Sequence, residues 1–296
     1  MDRFYAMQVF VAVAETESFT KAGRILAISP PAVTRTISAL EERLGVRLLT
    51  RTTRVVRLTE AGTRYLDDSR RIMMALDEAD ESAAGINATP RGQLHLTAPI
   101  LFGKMFVTSI VLEYLDRYPE VDVNALFVDR IVNLVEEGMD VAIRIGELPD
   151  SSLRAIQVGK VRQIVVASPR YLEQHGALQH PRDLKSHRIV TAMGITALPE
   201  WKFYADGKSI AARIAARMTV TTIESAIEAV RAAWGITRLL SYQADPYLKT
   251  GEITTVLNAF EPPALPIYVV HPGGPRPSAK VRTFVDLAVE RLRARV

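Results

Sequence analysis

Two adjacent prolines constrain this chain more than any other feature. In Ser29-Pro30-Pro31-Ala32-Val33-Thr34-Arg35 a serine stands directly before the pair. Proline has no N–H and a fixed φ, so it suits the first turn of a helix and disrupts every later one, and serine is a residue type that caps such a start. A helix therefore begins at Pro30. Val33, Ile37, Leu40 and Leu44 follow at i, i+4, i+7 and i+11. That spacing marks one helical face, predicts that these four are buried, and turns Thr34, Arg35 and Ser38 outward. Gly45 ends the helix.

The flanking residues fit around this helix. Phe4, Met7, Val9, Phe10 and Val13 predict a helix over 4–15, and Ser18 caps a second, reaching residue 27, with Phe19, Ala22 and Leu26 inward. Only Ile28-Ser29 separates it from Pro30. Strand-like runs at 47–49 and 55–58 enclose a polar tip, Thr50-Arg51-Thr52-Thr53-Arg54. Three helices with a basic hairpin make a winged helix-turn-helix. Over residues 35–57, six arginines face two glutamates, a net +4 that equals the charge of the whole 296-residue chain. A helix entering the major groove brings its N-terminal residues nearest the base edges. This selects Pro30, Pro31, Thr34, Arg35 and Ser38, with Arg35 able to read guanine or clamp a phosphate, and Arg51 and Arg54 placed for backbone or minor-groove contact.

Thr59 can cap a long helix to about residue 86. Its apolar positions Leu58, Tyr65, Ile72, Ala79 and Ile86 recur at seven, interleaved with Leu76 and Ala83, the pattern of a helical dimer seam. Gly62 and Ser69 share the stripe, so packing against its own domain is the competing reading. Ala88-Thr89-Pro90-Arg91-Gly92 breaks the helix and marks a boundary.

Beyond it, strands at 93–97, 121–128 and 140–145 alternate with helices at 99–117 and 130–137, an order that implies a parallel sheet. A second series starts at 163–167 and includes a hairpin at Asp206-Gly207, a helix over 222–234 capped by Thr221 with Glu224 in the capping box, and a strand at 236–240. A strand at 267–270 and a helix from Ser278 follow Pro262-Pro263. The fold class is α+β: a DNA-binding domain over 1–59, a linker helix over 60–89, and a two-lobed α/β domain over 90–296. Ligands of such sheets bind at the carboxyl ends of strands, where helix starts point. The candidates are Ala98, Pro99, Ile100, Val128, Asp129, Arg144, Gly146, Met193, Thr221 and Thr222. Free N–H groups at helix starts favour a carboxylate or another anion, and Arg144 adds a full positive charge. Capping alone would account for Thr221, and for Asp129 at the start of the helix after it.

The chain resembles LysR-type transcriptional regulators. The resemblance rests on Ser18-Phe19-Thr20-Lys21-Ala22, the Ser29–Arg35 run, Leu40-Glu41-Glu42-Arg43-Leu44-Gly45, Leu48-Leu49-Thr50-Arg51-Thr52-Thr53-Arg54 and Leu58-Thr59-Glu60-Ala61-Gly62. It continues in Arg117-Tyr118-Pro119, in Glu137-Gly138-Met139-Asp140-Val141-Ala142-Ile143-Arg144-Ile145-Gly146, in Asp150-Ser151-Ser152-Leu153 and in Ala167-Ser168-Pro169. Gly23 stands where such proteins usually carry alanine, and Pro30 where many carry glutamine. The resemblance implies double-stranded promoter DNA, a small-molecule effector, contact with RNA polymerase, and a homodimer or homotetramer joined through linker helices. It also implies a C-terminal domain like periplasmic ligand-binding proteins, with crossings near 161–162 and 264–267, one lobe from 91–161 and 267–296 and the other from 162–266.

Other function classes find little support. The chain lacks GxSxG, P-loop and HExxH spacings, its five histidines are scattered, and it has no cysteine for a disulfide, thiolate metal site or nucleophile. No enzyme, cofactor or metal is expected. The α/β region alone would suit a transport-binding protein, but the N-terminus carries no signal-like apolar run and no stretch reaches membrane-spanning length, so the cytoplasm is the expected compartment. A constitutive DNA-binding protein whose C-terminal domain only oligomerises is the remaining competitor.

Overall fold

A computed structural model describes residues 2–51, 56–84, 89–149, 152–192, 200–273 and 277–296. Helix α1 (Arg3–Thr16) starts at Asp2, whose carboxylate accepts from the Phe4 N–H at 2.9 Å. Helix α2 (Phe19–Ile25) starts at Ser18, whose hydroxyl accepts from the Lys21 N–H. Helix α3 (Pro30–Leu44) begins at the proline pair, with Ser29 at the cap position. The Ser29 side chain makes no capping bond, so the prolines alone set this start. Ala6, Val9, Phe10, Val13, Ala22, Val33, Ile37 and Leu40 form one buried core. Leu44 departs from the expected stripe: it is 39% exposed, because Gly45 turns the chain at φ 68° and leaves the last turn beyond the packed face.

The wing strands β1 (Leu49–Arg51) and β2 (Val56–Leu58) pair antiparallel, with Leu49 opposite Leu58. β1 starts two residues later than expected. The cause is Glu41, whose carboxylate accepts from the N–H groups of Leu48 and Leu49 at 2.9 and 3.0 Å and ties this segment to α3. Residues 52–55 at the tip, Arg54 among them, lie outside the described residues.

Helix α4 (Glu60–Ala84) is capped by the Thr59 hydroxyl, which accepts from the Gly62 N–H at 2.9 Å and donates to the Arg47 carbonyl. Gly62 is required there, since a Cβ would stand 2.0 Å from the Leu48 carbonyl oxygen. The seven-residue stripe divides between the two readings. Leu58 and Tyr65 pack on the DNA-binding core, with Tyr65 edge-on to Phe10 at 5.4 Å. Ile72 and Leu76 leave it, 47% and 40% exposed. The side chains of Ala79 and Ala83, and the whole of Ile86, lie outside the described residues.

The first α/β sheet contains β3 (Gly92–Ala98), β4 (Val121–Phe127), β5 (Val141–Ile145), β6 (Arg154–Val161) and a strand returning from the far end of the chain. Between β3 and β4 run α5 (Ile100–Phe102), a π-helical turn (Gly103–Val107) and α6 (Thr108–Arg117). The helix expected over 130–137 does not form. Residues 134–138 make a single turn, the Asn133 side chain accepts from the Val135 N–H, and Arg130 reaches across to Glu137 at 2.7 Å. Asparagine bonding its own backbone competes with helix hydrogen bonds. The apolar residues here also fail to make a buried face, as Ile131 is 89% exposed.

The second region starts with β7 (Gln163–Ala167), α7 (Pro169–His175), a 3-10 turn (Pro181–Ser186) and β8 (Ile189–Ala192). It continues through β9 (Glu200–Ala205), β10 (Lys208–Arg213), β11 (Ala216–Val220), α8 (Ile223–Arg231), β12 (Thr237–Leu240), α9 (Ser241–Lys249) and β13 (Thr254–Val256). Asp206 and Gly207 both take positive φ and close the β9–β10 hairpin, as their types require. The parallel repeat is only partial: β8 and β11 are parallel, whereas β7 is flanked antiparallel by β12 and β13. Strand β14 (Leu265–His271) returns to the first sheet, antiparallel to β5 and β6, and α10 (Ala279–Arg293) covers it. The chain thus passes between sheets after β6 and before β14, and Arg162 on one passage pairs with Glu261 on the other at 3.1 Å. One apolar core, including Leu96, Phe102, Ile164 and Ile227, continues from the five-stranded sheet into the second region.

Candidate functional sites

Helix α3 presents Pro30, Pro31, Thr34, Arg35 and Ser38 to solvent while Val33, Thr36, Ile37 and Leu40 are buried. Thr34 donates its hydroxyl to the Pro30 carbonyl at 3.1 Å, an i−4 bond that leaves its oxygen available as an acceptor. The α2–α3 turn is tight because Gly23 has no Cβ: one would sit 2.8 Å from the Ile28 carbonyl oxygen. Arg51 ends β1 opposite Val56, so its backbone leads directly into the wing tip.

A cavity opens between the five-stranded sheet and the second region. Of the residues expected there, Pro99 and Asp129 line it, and Ile145, Ala192 and Ile223 bring in the neighbours of Gly146, Met193 and Thr222. Ala98 is buried at the end of β3, its carbonyl accepting from the Val128 N–H at 3.0 Å. Asp129 is a cap, though of the helix before it in sequence: its Oδ1 accepts from the Ile100 N–H at 3.0 Å across the sheet.

Four expectations change. Arg144 does not line the cavity; strand alternation puts it on the opposite face of β5 from Ile145, where it bonds the Val132 carbonyl. Burial lowers the pKa of that guanidinium. The Gly146 N–H is already donated to the Pro266 carbonyl at 2.9 Å, so it offers no anion contact. No helix starts after Val128, which removes one of the helix starts expected to favour an anion. Thr222, rather than Thr221, caps α8, accepting from the Ser225 N–H, while Thr221 is exposed and Glu224 sits one position short of a capping box. Met193 lies outside the described residues.

The polar groups that do line the cavity are Gln163, Arg238, Tyr242 and Gln243. Arg238 donates to Gln163 Oε1 at 2.8 Å, and its guanidinium carbon stands 5.8 Å from the Trp201 ring centre. Burial pushes its pKa down to about 10, and no carboxylate among the described residues opposes this. Tyr242 is buried against Phe102 and Phe106 at ring distances of 5.3 and 5.8 Å. Burial, then the Asp129 and Glu224 carboxylates, raise the pKa of its phenol. Gln243 is held at both ends, accepting from the Leu240 N–H at 2.9 Å and donating to the Tyr242 hydroxyl. Sequence reading passed over Arg238 although it carried a signal: a full charge inside the apolar run Thr237-Arg238-Leu239-Leu240 is out of place unless something needs it. Among the described residues, no group of histidine and carboxylate side chains is arranged to hold a metal ion, and no helix is long and apolar enough to cross a membrane.

Comparison with known proteins assigns the two regions. Residues 4–63 match the model of the bacterial regulatory helix-turn-helix protein, lysR family, and residues 87–293 match the LysR substrate binding domain. The chain belongs to the LysR family of transcriptional regulators. It is 33% identical over 288 residues to an HTH-type transcriptional regulator of Xanthomonas campestris, covering 96% of this chain and 84% of the relative. It is 32% identical to an HTH-type transcriptional repressor of Pseudomonas aeruginosa, covering 98% and 92%. Among solved structures, the full-length Vibrio cholerae virulence activator AphB superposes with a TM-score of 0.65 at 26% identity, covering 98% of this chain and 99% of that one. The LysR-type regulator CrgA of Neisseria meningitidis gives a TM-score of 0.62 at 29% identity, covering 97% and 98%. This LysR-type regulator therefore joins a DNA-binding domain to an effector-binding substrate domain. Regulators of this family bind promoter DNA and effectors and form oligomers.

Proposed function

We propose that this regulator controls promoters in response to a small organic anion whose charged end docks on Arg238. A guanidinium taken out of water without a carboxylate partner among the described residues is a costly arrangement that an anionic ligand would relieve. Gln163 and Gln243 add side-chain hydrogen-bonding groups beside it, and the aliphatic side chains of Ile145, Ile223 and Leu240 suit a compact apolar body. Thermal-shift screening of small carboxylates against the full chain and Arg238→Met tests this. Carboxylate hits lost in the variant are expected; hits that are uniformly neutral, or that ignore the variant, refute it.

On the DNA side, α3 reads the operator through Thr34, Arg35 and Ser38, with Pro30 and Pro31 at the groove and Arg51 and Arg54 on the backbone. Pro30 supplies no base-reading side chain, which concentrates readout on Arg35. Arg35→Ala should cost about 1–3 kcal/mol of operator affinity at unchanged circular dichroism. Equal affinity of parent and variant would make Arg35 a bystander.

The division into 1–59, 60–89 and 90–296, with lobes of 91–161 plus 267–296 and of 162–266, is supported by the chain passing between sheets at Arg162 and before Leu265. Ile72 and Leu76 are available for pairing linker helices in a homodimer or homotetramer. Effector binding then changes how the DNA-binding domains are presented to the promoter and to RNA polymerase. Such linkage requires different effector affinities for the two arrangements.

A further inference from the structure

The cavity carries charges of both signs at separate places. Arg238 is half-buried, and burial lowers its pKa with no carboxylate among the described residues acting on it. Asp129, which lines the same cavity, is exposed. Its Oδ1 is committed to the Ile100 N–H, and no cation pairs with the carboxylate among the described residues. Glu224, in the first turn of α8, directly follows the lining residue Ile223, and both carboxylates act on the Tyr242 phenol. The lining of one cavity thus carries a cation, Arg238, and an anion, Asp129, together with the apolar side chains of Ile145, Ile223 and Leu240.

We propose that the ligand of this cleft is a zwitterion, an amino carboxylate whose acid end pairs with Arg238 and Gln163 and whose ammonium pairs with Asp129 and Glu224. The proposal rests on the reading of the cleft as an effector site anchored by Arg238 and specifies the class of effector. A dicarboxylate would bring its second charge against Asp129 and Glu224, where like charges repel. A simple fatty acid would leave both carboxylates facing an apolar tail. An ammonium satisfies them, in the manner of other charge-assisted pairs. It would also join the two sides of the cleft, because Asp129 follows β4 of the first sheet and Glu224 opens α8 in the second region.

Calorimetric titration of the full chain tests the proposal with leucine, 5-aminopentanoate, 4-methylpentanoate, 2-hydroxy-4-methylpentanoate and glutarate. The variants are Asp129→Asn, Glu224→Gln and Arg238→Met. Asparagine keeps the acceptor for the Ile100 N–H, so Asp129→Asn changes charge without removing the cap. At least one of the two amino carboxylates should bind at least about ten-fold tighter than 4-methylpentanoate, a difference of about 1.4 kcal/mol. Glutarate should bind no better than 4-methylpentanoate. The amino advantage should fall to about three-fold or less in Asp129→Asn or Glu224→Gln, with 4-methylpentanoate unchanged. Leucine and 5-aminopentanoate differ in the spacing of their charges, and whichever binds fixes the α or ω class. The proposal is overturned if 4-methylpentanoate or the hydroxy acid matches the better amino carboxylate, if the advantage survives both acidic-residue variants, or if neither amino carboxylate binds. Binding of 4-methylpentanoate that depends on Arg238 would then leave the anion reading standing alone. Indifference of every ligand to Arg238→Met would remove both.

Discussion

Arg238→Met keeps much of the side chain's volume and flexibility and removes its charge, which separates a ligand anchor from a structural tie. Burial takes the guanidinium from its ordinary value down to about 10. At about 1.4 kcal/mol per pH unit, that difference corresponds to about 3 kcal/mol against the folded state. The group is protonated in both folded and unfolded chains at neutral pH, so the whole penalty is present at pH 7. It diminishes only as pH rises through the folded value toward the unfolded one. Opposing it are the bond to Gln163, about 1.5–3 kcal/mol for a charged donor, and the stack on Trp201, about 0.5–1 kcal/mol. These nearly cancel. The variant should therefore unfold within about 1 kcal/mol of the parent in urea at an unchanged m-value, while losing its response to carboxylates. A loss of about 2 kcal/mol or more would mean that Arg238 exists to hold Gln163 and Trp201 together, and the anion reading would lose its anchor.

Gly62→Ala gains about 1 kcal/mol of helix propensity. The new methyl group nevertheless overlaps backbone that no side-chain movement can clear, so the DNA-binding domain should lose about 2 kcal/mol net, read as a lower melting transition; an unchanged or raised transition would contradict the packing of α4 on Leu48. Ile72→Asp should weaken self-association and operator binding together in sedimentation and gel-shift assays, whereas a fully oligomeric variant would place the seam elsewhere. Arg291, bonded at 2.7 and 2.8 Å, and then Arg117 hold the Glu113 carboxyl at about 2 instead of 4.5. Its contribution is therefore full above pH 4.5 and lost as pH falls toward 2. Glu113→Gln should flatten the acid limb of melting temperature against pH, and an identical limb would show that the pair contributes nothing.

Local chemistry was legible wherever one residue type dictates one conformation. The prolines after Ser29, the caps at Ser18 and Thr59, Gly45, and the Asp206-Gly207 turn all act through their own backbones or within a few residues, and each is found as read. Errors came where the partner a side chain chose decided. The 130–137 segment has enough apolar residues for a helix, but Asn133 bonds its own backbone and the Arg130–Glu137 pair closes a loop. Glu41 looked like one surface charge against many arginines, yet it fixes where the wing begins.

The cleft divides in the same way. Strand order and loop position pointed to Pro99 and Asp129, because the carboxyl ends of strands follow from pattern alone. The choice of arginine did not. Arg144 and Arg238 both sit on strands near the cleft, and only the pairing of each strand decides which face it turns to the opening: β5 turns Arg144 to the Val132 carbonyl, while β12 beside β7 brings Arg238 to Gln163. The sequence by itself determined the DNA-binding module, the linker helix and the family, through local periodicity, capping and motifs read in order. Tertiary structure alone decided which side chains meet in the cleft and that Ile72 and Leu76 of the linker stripe stay exposed. Those outcomes depend on strand register and on contacts between residues far apart in the chain, which no local pattern encodes.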